Sequence, residues 1–312
     1  MPLDSPVPVC QYPTMLGEIQ TPILPHLRSA EYIRARKKQI PALSGNKQRD
    51  WQRERGRFRW GVFIQVALFH VGALLAPWFF SWEALFVTAG LLFVSGCIGI
   101  CVGYHRLLTH RSFETYPFIK RALTLIGTLA GQGGPAVWVG THRIHHQFSD
   151  KDGDPHSPKH SFWWGHVIWL YFFENPVARS HAADVMQDPW LRWLDRLWFL
   201  PFFGLAILLW WIGGLPFLVW GFFLRMVVTF HSTFAVNSAA HRWGYRTYET
   251  PDDSRNNVWV ALLTFGEGWH NNHHAFPQSA RHGLLRREID PAFLFIRLLE
   301  KCGLAWNVKL PG

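Results

Sequence analysis

Between Trp60 and His105 the chain carries one formally charged residue, Glu83, in 46 positions. A run of that length holds two apolar helices of about 20 residues each. In hydrocarbon every backbone N–H and C=O must be satisfied within the segment, so helices are the form open to such a run. A second silent stretch, Leu197 to Leu224, has no charge at all and runs on to Ala240, interrupted by Arg225. Pro77–Glu83 and Gly213-Gly214 are the natural turns. The sequence therefore reads as an all-α integral membrane protein with four spans, at about 60–80, 83–103, 196–213 and 215–238. Arg225 falls inside the last span, where a charge is expensive and must face protein.

Charge orients this arrangement. From Arg28 to Arg59 there are 11 Lys or Arg against Glu31, Asp50 and Glu54, and the loop between the first two spans has neither Lys nor Arg. That asymmetry places the N-terminus in the cytoplasm. Four crossings return the chain there, so both termini and the polar segments share one side. The mean hydropathy of +0.01 averages charged blocks against apolar ones and hides this organisation. The net charge of +10 belongs to span flanks and anionic headgroups. No basic element carries a nucleic-acid-binding motif, so nucleic acid is not an expected partner. Residues 1–45 are Pro-rich and then basic. They read as a disordered tail with a surface helix near Arg28–Gln39 and no signal peptide, ahead of a membrane domain over 46–312. Cys10, Cys97, Cys101 and Cys302 make no disulfide or zinc pattern, and Cys97 and Cys101 read as packing residues. Two segments are expected at the membrane surface: a helix within Tyr116–Val139, dipping into the headgroups or packing beneath the polar half, and an interfacial helix over Ser161–Glu174.

Eight of the 17 histidines fall in three short stretches: His105-x4-His110, His142-x2-His145-His146 and His270-x2-His273-His274. On a helix, His-x-x-His-His places its members at 0°, about 300° and about 40°, a single face. Neutral imidazole is the commonest side-chain metal ligand. Three such motifs read as one polyhistidine metal centre assembled from distant segments. Asn237 and His241, at i and i+4 near the end of the last span, share a face with Thr233. That makes His241 a candidate ninth ligand, while His231 lies about 120° off. Nine imidazoles exceed the needs of one ion, so two metals are the economical count. Imidazole suits Zn, Cu, Fe and Ni alike. The two Glu-x-x-His pairs of carboxylate-bridged di-iron bundles are missing, Glu267-x-x-His270 being a single match. His26, His70, His160, His166, His181 and His231 stand outside any motif and read as surface or packing residues. His156 and His282 are intermediate, and His156, near the second box, is a candidate for orienting a ligand.

The pattern resembles the membrane-bound fatty acyl desaturases, in particular the stearoyl-type delta-9 branch. The three histidine motifs carry the resemblance. So do Asp154-Pro155-His156, Asn237-Ser238-Ala239-Ala240-His241 with Gly244-Tyr245-Arg246, and Gly266-Glu267-Gly268-Trp269. It covers about residues 50–310. The resemblance implies four spans under a cytosolic helical cap that holds a non-haem centre of two iron ions. His241 is then a ligand with the eight box histidines, Asn237 holds a water on one iron, and Asp154 and His156 support the ligands. Gln132, Trp138 and Thr233 match positions that line the bend of the substrate tunnel. The implied reaction is O2-dependent removal of two hydrogens from a saturated C16–C18 acyl chain, on lipid or CoA, giving a cis double bond at delta-9. No haem or iron–sulfur motif is present, so the electrons are expected from a ferredoxin or a cytochrome b5-type donor. One departure bears on the carrier. Animal acyl-CoA desaturases have Arg-Asp before the second box, where they meet CoA, and here those positions are Gly140 and Thr141. Rival readings are a hydroxylase or alkane oxygenase built on similar boxes, and a non-catalytic membrane metalloprotein. A transporter would place its ligands at mid-bilayer, whereas these boxes lie mostly outside the spans.

Overall fold

The structure, a computed structural model, describes residues 57–173 and 175–311. The expected tail over 1–45, its surface helix and His26 lie outside the described residues. The rest is built almost wholly of helices. Two are long and apolar enough to cross a membrane by length and composition, Trp82–Thr109 and Phe199–His241. A shorter apolar helix, α1 (Trp60–Ala73), precedes them. The first expected span, 60–80, is α-helical only to Ala73. Beyond it the chain tightens into a 3-10 turn over Ala76–Phe79 with Pro in its first turn, because Pro has no N–H to continue the ladder. Ser81 then starts α2 (Trp82–Leu92) by accepting from Ala84 N at 3.1 Å.

α2 runs on without a break into a segment wound with i→i+5 hydrogen bonds, Phe93–Thr109. Helix α3 (Pro117–Thr128) lies against this wide turn so closely that a Cβ on Gly99 would stand 2.7 Å from the Gly127 Cα. The Tyr116–Val139 segment thus holds α3, packed against the second apolar helix, and the start of α4 (Pro135–Phe148), which bears the second box. Gly131 and Gly133, at φ of 65° and 96°, make the break between them. Asp195, near the end of α8 (Pro189–Leu197), caps α4 from outside by accepting from Ala136 N and Val137 N. Between α4 and α8 lie α5 (Phe162–His166), α6 (Asn175–Ser180) and α7 (Ala183–Gln187). The interfacial helix expected over Ser161–Glu174 is therefore broken. Val167 leaves helical geometry at φ −141°, and Ile168–Tyr171 forms a 3-10 turn.

Phe199–Leu218 (α9) breaks at Gly214, whose φ of 61° suits glycine, so the expected turn at Gly213-Gly214 is there. The chain continues through a wide turn over Val219–Leu224 into α10 (Arg225–Ser238). Phe69, Phe202, Phe222, Met226, Phe230 and Phe234 form the core shared by α1, α9 and α10. Outward, Trp78 and Trp211 are more than three-quarters exposed, as expected of aromatics at a membrane interface. Arg225 is fully buried and donates to Gly221 O and Ser95 Oγ, with no acidic partner among the described residues. His231, rejected as a ligand, links elements instead. Its ring nitrogens sit 3.0 Å from His70 Nε2 on α1 and 2.9 Å from His166 Nε2 on α5. Cys97 and Cys101 are buried in a core closed by α13 (Pro291–Lys301). Helices α11 (Val258–Leu263) and α12 (His270–Ala275) precede α13.

Asp184 on α7 ties this half together. It accepts from Arg143 of the second box at 2.6 and 3.0 Å and from Arg111 at 2.6 Å. Burial alone would raise its pKa, but the two guanidiniums hold it down to about 2, below the usual 3.8. A carboxylate with a depressed native pKa stabilises the fold above its unfolded value, and that contribution fades as pH falls toward 2. Asp184 is a third exposed, so solvent screening leaves the effect at about 1 kcal/mol. Thermal unfolding of Asp184→Asn should therefore start below wild type near neutral pH, and the two melting curves should converge between about pH 4 and 2. A constant gap across that window would contradict the clamp.

Candidate metal centre

The first box sits in the wide turn, and that winding decides its geometry. On an α-helix five residues advance about 500°, leaving His105 and His110 about 140° apart. The i→i+5 winding, closed by His110 N donating to His105 O, brings them to one side with ring centroids 4.7 Å apart. Such wide turns are rare and tend to occur at functional sites. The second box lies on α4 and the third on α12, so their i, i+3, i+4 faces are as expected.

The nine histidines nominated by the sequence gather into two groups. His105, His110, His142, His146 and His273 form one, and His145, His241, His270 and His274 the other; each could hold a metal ion. Each His-x-x-His-His box is split. The i, i+4 pair serves one group and the middle histidine the other, so both boxes straddle the two positions. Within the groups the facing atoms are Nε2. His142 Nε2 is 3.1 Å from His110 Nε2, and His146 Nε2 is 2.9 Å from His273 Nε2. His270 Nε2 is 3.0 Å from His241 Nε2, and His145 Nε2 is 3.3 Å from His274 Nε2.

The far nitrogens fix four of the facing atoms as acceptors. His105 Nδ1 lies 2.6 Å from Glu267, His145 Nδ1 3.1 Å from Asp154, His241 Nδ1 2.8 Å from Asp150 and His274 Nδ1 2.7 Å from Asp252. A carboxylate accepts only, so each of these Nδ1 atoms carries the proton and each Nε2 presents a lone pair. At His145 and His274 two such lone pairs face each other 3.3 Å apart and call for a cation between them, and the surrounding imidazoles fit a divalent transition metal. Burial, followed by repulsion from neighbouring rings, holds His110, His142, His146, His270 and His273 well below the usual imidazole pKa, in the neutral form a ligand needs. At His145, burial is outweighed by Asp154, and the pKa rises.

Of these carboxylates the sequence reading nominated Asp154 alone. Its two oxygens also accept from Asp150 N and His156 N. Asp150, Asp252, Glu267, His282 and Arg106 were missed as partners of the site. The His-x-x-His-His spacing points to ligands but says nothing of what lies behind them, and Asp252 and Glu267 come from loops far from the boxes they serve. Arg106, fully buried, joins Glu267 to Asp290 and His282. His156 is buried and stacks on His145 at 4.4 Å between centroids, but its Nδ1 is 3.6 Å from Asp154. Burial drives its pKa down to about 3.

Two cavities, of about 180 and 320 Å³, share the walls Gln132, Trp138, His142, Thr233 and Asn237. The three expected tunnel residues form one hydrogen-bonded unit. Trp138 Nε1 donates to Gln132 Oε1 at 2.8 Å, and Gln132 Nε2 donates to Thr233 Oγ1 at 2.8 Å. The larger cavity runs between α2 with its wide turn and α10, and is mostly apolar.

Comparison with known proteins accords with this arrangement. The family profile described as fatty acid desaturase matches residues 81–293. The sn-2 palmitoyl-lipid 9-desaturase of Nostoc sp. is 47% identical over 264 residues, covering 82% of this chain and 93% of that protein. The sn-1 stearoyl-lipid 9-desaturase of Anabaena variabilis is 50% identical over 249 residues, 77% of this chain and 90% of that protein. The icosanoyl-CoA 5-desaturase of Limnanthes douglasii is 44% identical over 254 residues, 80% and 71% respectively.

If the two groups are two metal positions, purified protein loaded with iron or zinc should hold about two ions per chain, and His270→Ala about one. Asp252→Asn, which leaves the ring in place, should weaken metal retention about 10- to 100-fold against a chelator. A wild type that saturates at one ion would contradict the division.

Proposed function

The chain belongs to the fatty acid desaturase family, and we propose that it introduces a cis double bond at delta-9 of a saturated C16–C18 acyl chain carried on a membrane glycerolipid. It is an oxidoreductase of the membrane-bound kind. The observation that carries the reading is the pair of histidine groups at the junction of two cavities. In this reading the nine histidines hold two iron ions and Asn237 holds a water on one of them. Iron bound there supplies the O2 activation that an unactivated C–H bond requires and that acidic and basic side chains cannot. Per turnover the acyl chain loses two hydrogens, two electrons and two protons enter from outside, and O2 leaves as two waters. The electrons come from a ferredoxin or cytochrome b5-type donor.

The protein's own share is positioning. A saturated chain offers no polar handle near its middle, so its register is set by shape. The hydrogen-bonded unit of Trp138, Gln132 and Thr233 is rigid because each partner holds the next, and it stands where the two cavities meet. A chain threaded through both arms bends there, beside His142. Buried neutral imidazoles and a mostly apolar arm keep water from the reacting carbons. In the membrane the chain crosses four times, with the termini and the histidine groups on the cytoplasmic side of a bacterial inner membrane or its equivalent.

Gly140 supports a lipid carrier. A Cβ there would lie 1.7 Å from Ala178 O, so the arginine that meets CoA at this position in acyl-CoA desaturases has no room unless α6 moves. The names of two of the relatives, both lipid 9-desaturases, point the same way.

Expression in a host rich in saturated C18 lipid should give oleoyl glycerolipid, identified by gas chromatography with double-bond location. His142→Ala and His273→Ala should abolish it with membrane insertion intact. A product bearing a new oxygen would replace the desaturase reading with a hydroxylase, and turnover retained in both variants would remove the ligand assignment.

A further inference from the structure

The smaller cavity differs from its partner in having two arginines in its walls. Arg59, Gln65 and Arg179 all line it. Two of its walls fix its depth. Arg59 directly precedes Trp60, the first residue of α1, and Trp198 directly precedes Phe199, the first residue of α9. The cavity therefore straddles the boundary where two apolar helices begin. Gln65 lies five residues inside α1, about 7.5 Å along the axis, and it is half-buried.

The two arginines are held from behind. Arg59 Nη1 donates to Phe173 O at 2.8 Å, and Arg179 Nε pairs with Asp195 at 2.7 Å. Asp195 is the residue that caps α4, so this end of the cavity and the helix of the second box are built as one unit. The Gln65 amide, by contrast, has no hydrogen-bond partner among the described residues. An amide at that depth in an apolar helix is costly unless something accepts from it. The acyl ester carbonyls of a bilayer lie just beneath its headgroups, at the depth of Gln65.

We infer that Gln65 reads the ester of a glycerolipid that enters sideways from the bilayer: its amide N–H donates to the ester carbonyl, with Arg59 and Arg179 facing the polar head. The acyl chain then runs along the smaller cavity to Trp138 and bends into the larger one. This rests on the desaturase reading and adds to it the group from which the position of the double bond is counted. A ligand entering from the aqueous side would have no use for an amide placed inside the span.

The test compares a stearoyl glycerolipid with its ether-linked analogue, which lacks the carbonyl and is otherwise the same. Binding to full-length, zinc-loaded protein in micelles is read by displacement of a fluorescent fatty acyl probe. Wild type should prefer the ester by about tenfold, the worth of one hydrogen bond. Gln65→Leu should bind both lipids as weakly as wild type binds the ether, and Gln65→Asn should fall between. Gln65 is half-buried with no hydrogen-bond partner among the described residues, so the variants should keep wild-type melting temperature and metal content. The inference is overturned if wild type shows no ester preference or if Gln65→Leu retains it. It is overturned equally if stearoyl-CoA binds as well as the ester lipid and weakens in parallel. Iron-loaded wild type that makes no double bond in the ester lipid would count against the desaturase reading, while the ester–ether comparison would still decide the present one.

Discussion

Nine imidazoles gather in two groups, and carboxylates behind His105, His145, His241 and His274 fix the inward nitrogens of those four as acceptors. Where a carboxylate accepts from Nδ1, the inward nitrogen is a lone pair, and two of these, on His145 and His274, meet 3.3 Å apart and repel. The fold brings these groups together from two apolar helices, α4 and α12, and supports them with buried carboxylates whose own charge has to be balanced. The arrangement makes energetic sense as a site for cations. Metal binding would turn a repulsive cluster into the strongest cross-link in the chain, joining α2, α4, α10 and α12.

The apolar helices follow from the same requirement. Histidines held at the ends of membrane helices gain a scaffold whose backbone is fully hydrogen-bonded and whose side chains face lipid or close-packed neighbours. The wide winding of Phe93–Thr109 shows how far the scaffold bends to serve the site. It forgoes regular α geometry, and His105 and His110 come to face one side. The proposed substrate path uses the same helices. In that reading an acyl chain drawn from the bilayer passes through the two cavities to the histidine groups without crossing water.

Much of this was legible in the sequence. The charge-free runs, the turn at Gly213-Gly214, the rejection of His231 and the nomination of His241 depend on composition and helical phase, which are local. The pairing of each carboxylate with its histidine was not legible, because Asp252 and Glu267 reach the site through loops whose course no periodicity encodes. The split of each box between two positions was hidden for a similar reason: spacing places three rings on one face but does not say where the ions lie relative to it. The end of α1 at Ala73 and the broken segment after Ser161 went the other way, since aromatic and apolar residues there suggested longer helices than Pro77 and the bend at Val167 allow.

Iron-edge X-ray absorption on the reconstituted protein tests the central claim most directly. With the nine histidines as ligands, the first shell should be almost wholly nitrogen, with the outer-shell scattering of four to five imidazoles per iron and no carboxylate bridge. A first shell dominated by oxygen, or imidazole scattering of two or fewer rings per iron, would contradict it.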